Sequence, residues 1–158
     1  MRKGITLCLS VIIILSLLGC DKQQDIRFYY PRNEIQYGVA DGVISGETRE
    51  ISPEENNLEY LLKLYLEGPV SLDLYAPFPA GTSLISFISD KSSLVLTLSD
   101  SFSELQNLEY TIACASIAAT CFDLTDVQTV TIHAAETSIT IDRQGLMFWD
   151  QSWKNPQN

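Results

Sequence analysis

Apolar residues alternate with polar ones in several short runs of the chain, and they follow a helical spacing in two other segments. The runs typical of strands are residues 26–30, 36–39, 43–51, 83–88, 94–98, 127–134 and 137–141. The helical spacing covers residues 58–66 and a longer segment opened by Asp100-Ser101. Helices separated by paired strands predict an α+β fold, in which a mostly antiparallel sheet has two helices packed on one face.

The first helical segment carries signals for both of its ends. Ser52-Pro53-Glu54-Glu55 has the composition of a capping box, in which Ser52 accepts a hydrogen bond from a free backbone N–H and Glu55 reaches back to the cap. Gly68-Pro69 predicts that the helix ends after Leu66. Acidic residues are favoured in the first turn of a helix, so Glu54-Glu55 needs no glycosidase chemistry to explain it.

Turn residues predict two hairpins. Asp41-Gly42 is a strong hairpin signal between residues 36–39 and 43–44. Asp90-Lys91-Ser92 predicts a turn that joins two alternating runs as an antiparallel pair.

In the second helix, small residues allow close packing on a sheet. One side of that helix is predicted to carry Leu105, Leu108, Ile112, Ala115 and Ala119.

The start of the chain has the order of a secretory signal. Two basic residues precede an apolar stretch that ends at Gly19, and the stretch is shorter than the roughly 20 residues of a membrane-spanning helix. Cys20 directly follows Leu17-Leu18-Gly19, which is typical of lipoproteins whose cysteine is lipidated. We therefore predict that residues 1–19 are a lipoprotein signal peptide and that lipid on Cys20 anchors the mature protein to the membrane.

The rest of the chain divides into three predicted parts. Residues 20–26 contain the lipidated cysteine and a short linker, residues 27–142 form one domain, and residues 143–158 form a C-terminal tail. The five residues 21–25 reach at most roughly 18 Å when extended. The domain is therefore expected close to the extracytoplasmic face of the cell membrane.

The charge of the chain excludes one class of partner. Twenty acidic residues against ten basic ones give a net charge of −10. Removal of the predicted signal peptide takes away Arg2 and Lys3 and leaves eight basic residues, so the net charge becomes −12. An acidic surface repels phosphate groups, which predicts that the protein does not bind nucleic acid.

Cys114 and Cys121 are the cysteines left to the predicted domain. An extracytoplasmic pair can form a disulfide. In a helix, however, residues seven apart lie about 10.5 Å apart along the axis, whereas a disulfide needs Cα atoms within about 7 Å. We therefore predict two small, buried, unpaired thiols.

Residues with catalytic or metal-binding chemistry are few. His133 has no partners at metal-ligand spacing, and the predicted mature chain contains no nucleophile elbow and no glycine-rich phosphate loop. The sequence therefore predicts no enzymatic activity, no metal and no cofactor. Arg49 is the charged residue singled out as a candidate for binding. It either pairs with Glu50 or another neighbour, or anchors a partner.

Six short motifs follow one another over roughly residues 27 to 142. They are Phe28-Tyr29-Tyr30, Thr48-Arg49-Glu50-Ile51, Leu66-Glu67-Gly68-Pro69, Pro79-Ala80-Gly81-Thr82, Leu96-Thr97-Leu98-Ser99 and Val127-Gln128-Thr129-Val130-Thr131-Ile132. In this order they resemble the GerMN domain of sporulation and spore germination proteins. The resemblance implies a non-catalytic interaction domain, similar to the ring-building modules of sporulation assemblies. It implies a scaffold role in the cell envelope linked to sporulation or germination, with an envelope protein or a second copy as partner.

A second function class stays open, that of an envelope lipoprotein that binds a small ligand or a glycan. Phe148, Trp149 and Trp153 would then supply stacking surfaces. The tail that carries these aromatic residues either folds back onto the domain or stays mobile.

Overall fold

The computed structural model describes residues 23–38 and 42–146. Pairs of strands separated by helices follow one another in the predicted order, which confirms the α+β class. The elements are β1 (Gln24–Pro31), β2 (Ile44–Ile51), α1 (Leu58–Leu66), β3 (Leu84–Ser89), β4 (Ser93–Leu98), a 3-10 helix (Asp100–Glu104), α2 (Asn107–Leu124), β5 (Thr129–Ala134) and β6 (Thr137–Asp142).

The strands form two sheets, a division that the alternating pattern does not reveal. In the small sheet, β1 and β2 pair antiparallel, from Gln24 opposite Ile51 to Pro31 opposite Ile44. In the large sheet the order is β3-β4-β5-β6, and only β4 and β5 are parallel. The parallel pair requires a long crossover, which the 3-10 helix and α2 supply between β4 and β5.

A continuous hydrophobic core joins the two sheets. Every second residue of the two central strands is at most 2% exposed, and burial of each leucine, valine or isoleucine among them contributes about 1.5–3 kcal/mol. The largest of these residues are Leu94, Leu96, Leu98, Val130 and Ile132. Helix α2 packs against β1 as well as β5 and β6, so it connects the small sheet to the large one.

The predicted start of the first helix is wrong, whereas its end is confirmed. Helix α1 begins at Leu58, and the Asn57 side chain accepts the Tyr60 N–H at 3.0 Å as its N-cap. The predicted capping box, with Glu54-Glu55, precedes the helix. Ser52 and Glu55 hydrogen-bond each other there in a turn, because the same side-chain chemistry also closes turns.

Helix α2 differs from its prediction in extent and in its buried side. The predicted segment is interrupted at Leu105 and Gln106, where extended backbone separates the 3-10 helix from α2. Leu108 is 69% exposed, and Leu105, Ile112, Ala115 and Ala119 are half-buried. The buried residues of α2 are Ala113, Cys114, Ser116, Ile117, Ala118, Thr120, Cys121 and Phe122.

The side of α2 that contacts β1 explains this error. Apolar and small residues occur almost all round the helix, so their spacing does not select one face. The backbone N–H of Tyr29 in β1 donates to the Thr120 hydroxyl at 2.9 Å. A buried N–H needs such an acceptor, so the side that carries Thr120 turns inward.

The antiparallel pairing of β3 with β4 is confirmed. The Asp90 carboxylate accepts the backbone N–H groups of Ser92 and Ser93 in the turn, and these bonds lower its pKa. The other predicted hairpin is not formed as expected. Residues 36–38 are not a strand, and the Gln36 N–H donates to the Gly42 carbonyl at 2.9 Å. Val39 and Asp41 lie outside the described residues.

The predicted state of Cys114 and Cys121 is confirmed, because both thiols are free and buried. Burial raises the pKa of Cys114 to about 11 and that of Cys121 to about 12. Both side chains serve as small residues of the core.

Several predictions fall on parts of the chain outside the described residues. These parts are the signal peptide, Cys20, and the aromatic residues Phe148, Trp149 and Trp153. No helix within the described residues is long and apolar enough to cross a membrane.

The first residues of the predicted tail are anchored to the domain. The Arg143 guanidinium donates to the carbonyls of Phe122, Thr125 and Val127.

Candidate interaction surface

Two loops at one end of the small sheet expose large apolar side chains. The loop between β1 and β2 exposes Ile35 (49%), Tyr37 (91%) and Val43 (39%), and the loop after α1 exposes Val70 (76%) and Leu72 (92%). We call these five residues the loop surface. Clustered apolar exposure of this kind is typical of protein interaction sites.

Backbone hydrogen bonds join the two loops, although they are about forty positions apart in the sequence. The Asn33 N–H donates to the Asp73 carbonyl at 2.9 Å, and the Asn33 side chain donates to the Leu72 carbonyl at 2.7 Å. The Tyr75 N–H donates to the Pro31 carbonyl at 3.0 Å. Both loops therefore adjoin the C-terminal end of β1.

Glu47 of β2 fixes the backbone of the second loop. Its carboxylate accepts the N–H groups of Val70 at 2.9 Å and Ser71 at 2.7 Å. Burial by itself raises the pKa of Glu47, but hydrogen bonds from Ser71, Arg49 and Val70 outweigh it and hold the pKa below the ordinary glutamate value. The ionised carboxylate thus holds this loop while Val70 and Leu72 remain exposed.

Arg49 lies behind the loop surface, with 13% of its side chain exposed. It pairs with Glu47 at 2.7 Å and not with Glu50. It also donates to the Gly68 carbonyl at 2.6 Å, just beyond the end of α1, where the helix dipole favours a cation. Its guanidinium lies 5.1 Å from the ring centre of Phe28. Arg49 therefore positions the loop, and direct contact of Arg49 with a partner stays a prediction.

Two stacked tyrosines attach α1 to β1 beside this network. The rings of Tyr30 and Tyr65 lie 4.8 Å apart. The Tyr30 hydroxyl donates to the Tyr65 carbonyl, and the Tyr65 hydroxyl donates to the Tyr29 carbonyl. Burial raises the pKa of both phenols above the usual range. These groups are structural, because their hydroxyls are occupied within the chain.

Two shallow grooves lie beside the start of α2, and Leu105 lines both. One, of about 260 Å³, is mostly apolar. The other, of about 410 Å³, is lined by hydroxyl and amide groups together with a similar extent of apolar surface. Further lining residues are Tyr75, Pro77, Phe78, Pro79 and Ile112 in the first, and Ser103, Asn107, Tyr110, Thr137 and Ser138 in the second.

The described residues contain no group of three histidine, cysteine or acidic side chains that could hold a metal ion. His133 lies in β5, half-exposed, with Thr97 and Ser138 as its neighbours on the adjacent strands. Within the described residues, neither of these hydroxyl groups is hydrogen-bonded to the His133 side chain.

The loop surface and Glu47 were missed from the sequence, whereas Arg49 was singled out. One sequence signal was available. Val70 and Leu72 follow a helix end in a stretch too short for a further element, where apolar residues have no predicted core to join.

Comparison with solved structures shows the same fold in sporulation proteins. The tandem GerMN domains of the sporulation protein GerM from Bacillus subtilis align with a TM-score of 0.56 and 17% identity, over 80% of this chain and 44% of that chain. The first GerMN domain of the same protein aligns with a TM-score of 0.54 and 17% identity, over 73% and 86%. The chain thus spans less than half of the tandem structure. A search of curated proteins finds no significant match.

The sequence profile of the Germane family, described as sporulation and spore germination, matches residues 27–139. This range runs from β1 into β6 and covers most of the chain. It confirms the resemblance carried by the six motifs. The chain belongs to the Germane family of sporulation and spore germination domains.

Proposed function

We propose that this protein is a membrane-tethered extracytoplasmic lipoprotein whose GerMN domain binds another protein of the cell envelope and catalyses no reaction. The observation that carries the proposal is the loop surface, in which Val70 and Leu72 extend from a backbone held by the half-buried Glu47 carboxylate. Membership of a sporulation and germination family supports a role in those processes. The acidic net charge supports a partner other than nucleic acid.

The sequence Leu17-Leu18-Gly19-Cys20 supports the lipid tether. The test compares the full chain with Cys20→Ser in a bacterial host fed radiolabelled palmitate. The wild-type protein is expected in the membrane fraction and labelled, and Cys20→Ser is expected to be unlabelled and absent from that fraction. Cys8→Ser is the matched control, because it removes a cysteine within the predicted signal peptide and is expected to change nothing. Membrane retention of Cys20→Ser would contradict the tether.

The absence of catalysis has its own test. The purified protein is incubated with peptidoglycan and with ester substrates, and products are followed by mass spectrometry. We expect no turnover, because His133 has Thr97 and Ser138 as its neighbours on the adjacent strands and the described residues contain no group that could hold a metal ion. Turnover that disappears on one point substitution would contradict this part of the proposal.

The two grooves favour the second candidate function, binding of a small ligand or glycan. Soluble cell-wall fragments are titrated into the protein and followed by calorimetry. If this function holds, Tyr110→Ala weakens binding, because Tyr110 lines the larger groove, whereas Leu72→Ala does not.

A further inference from the structure

We propose that the loop surface docks a protein whose contact site has an apolar centre and a basic rim, on the side of the domain that points away from the membrane. This inference rests on the proposed function and names the chemistry of the partner. Two other occupants are considered below, an anionic lipid surface and a second copy of the chain.

Strand β1 places the loop surface far from the predicted anchor. It begins at Gln24, four residues after Cys20, and ends at Pro31, where both loops adjoin it. Eight residues of antiparallel strand span roughly 24 Å. A domain anchored through the start of β1 can therefore present the loop surface up to about one strand length further from the bilayer than its anchor, where a protein reaches it more easily than lipid.

The charges around the loop surface are negative. Exposed Glu34 lies next to Ile35, and exposed Asp73 lies next to Leu72. Of the two nearby arginines, Arg49 pairs with Glu47 and Arg32 is half-buried, with a hydrogen bond to the Ser45 hydroxyl at 3.1 Å, so the exposed charges beside the apolar residues are those of Glu34 and Asp73. The rim is thus acidic around an apolar centre, which is complementary to lysine and arginine.

This charge disfavours the other two occupants. Anionic lipid headgroups repel an acidic rim. In a symmetric contact with a second copy, the same patch is used on both sides, which brings Glu34 and Asp73 of both copies together. Repulsion between like charges opposes that contact, and a net charge of −10 on each chain adds to it.

The fixed backbone favours binding. The loop that carries Val70 and Leu72 is held by Glu47 at its start and by Asn33 beyond it. A segment that is already ordered loses little conformational entropy when a partner binds. Leu72 and Tyr37 are more than 90% exposed and are therefore the expected anchors.

The experiment places the photo-crosslinking residue p-benzoylphenylalanine at position 72, and separately at 37, in the full chain in the bacterium that makes it. Leu108 is the matched control position, because it is an aliphatic residue 69% exposed at the start of α2. We expect one protein to be crosslinked from positions 72 and 37 but not from 108. Mass spectrometry is expected to place a lysine or arginine of that protein beside the crosslinked peptide.

A charge exchange then tests the rim. Changing that partner lysine or arginine to glutamate is expected to lower the crosslink yield about tenfold, and Glu34→Lys or Asp73→Lys is expected to restore most of it. A crosslink to phospholipid, to a second copy or equally from position 108 would overturn the inference, as would a yield that ignores both charge changes. Absence of any crosslink from positions 72 and 37 would overturn it too.

Fractionation of the same cells separates the two proposals. If the protein is in the membrane fraction and no crosslink forms, the docking surface is wrong and the tether stands. If the protein is absent from the membrane fraction, the proposed tether fails, and the crosslinks still decide the identity of the occupant. A thermal melt of each purified variant shows that the exposed substitutions leave the fold intact.

Discussion

The small sheet carries charged residues on both strands, whereas the four strands of the large sheet contain only His133 and Asp142 as ionisable side chains. The large sheet buries alternate leucine, valine and isoleucine side chains of its central strands. In the small sheet, the Glu47–Arg49 pair is bonded to the end of α1 and to the loop beyond it. The comparison indicates that the central strands of the large sheet serve burial, whereas the small sheet combines buried residues such as Phe28 and Tyr30 with charged groups that position the loop surface.

The largest expected effect is in the large sheet. Leu96→Ala removes a side chain that is 1% exposed and leaves a cavity, which is expected to lower the free energy of unfolding by about 2–5 kcal/mol. Urea denaturation measures the change. Ile88→Ala in β3 is the control, because Ile88 is 70% exposed, and it is expected to change the value by less than about 0.5 kcal/mol. Equal effects would mean that burial does not distinguish the two positions.

A smaller loss is expected in the small sheet. Arg49→Ala leaves Glu47 without its cation and the Gly68 carbonyl without its donor, with an expected loss of about 2 kcal/mol. The exposed pair Glu59–Lys63 is the control, and Lys63→Ala is expected to cost about 0.3–0.5 kcal/mol. Arg49→Ala is also expected to reduce crosslinking from position 72. If the two substitutions cost the same, the network would not be what fixes the loop.

The change of the unfolding free energy with pH is expected to show how much the ionised Glu47 carboxylate contributes to stability. Its folded pKa is lowered, so its contribution is fully present above the ordinary pKa of glutamate and is lost as the pH falls through the folded pKa. The difference in unfolding free energy between the wild type and Glu47→Gln should therefore shrink as the pH is lowered from 6 to 2. Asp90→Asn is the comparison, because the pKa of Asp90 is lowered by backbone N–H groups of its own turn. A difference that stays constant with pH would assign Glu47 a role that does not depend on its charge.

The smallest effect on stability is expected on the loop surface itself. Leu72→Asp changes a side chain that is 92% exposed, so the unfolding free energy should change by less than about 0.5 kcal/mol. Binding to the docked partner should nevertheless be lost, because a buried contact would then contain an unpaired carboxylate. Leu108→Asp is the control for both measurements. A large loss of stability in Leu72→Asp would show that the loop is part of the core.

Local patterns predicted much of the fold. The apolar spacing of α1 and the glycine at its end were sufficient, because Gly68 adopts a positive φ of 94° that favours glycine. The start of α1 was not predictable in the same way. Ser52 and Glu55 have the residue types of a capping box, but here the Ser52 hydroxyl donates to the Glu55 carboxylate and the Glu55 N–H donates to the Ser52 carbonyl, which closes a turn. Local chemistry identified the residues that bond but not the element they belong to.

The buried side of α2 and the candidate site depend on contacts between distant parts of the chain. Thr120 lies on the buried side and accepts the Tyr29 N–H, 91 positions away. Glu47 accepts hydrogen bonds from the backbone N–H groups of Val70 and Ser71, 23 and 24 positions later. The partner of Arg49 was within reach of sequence reasoning, because residues 47 and 49 of a strand share one face and residue 50 lies on the other.

The antiparallel pairing of β1 with β2 determines how the domain would carry mechanical load. In a chain anchored through Cys20, a pull on Ile35 or Tyr37 passes directly along the backbone of β1. A partner that pulls Val70 and Leu72 away from the membrane instead loads Glu47, which passes this force to β2. The opposing force enters at the start of β1, so the two strands are pulled past each other along their length. The hydrogen bonds between them are then loaded together in shear and do not open one after another, which makes the small sheet a strong coupling between tether and partner.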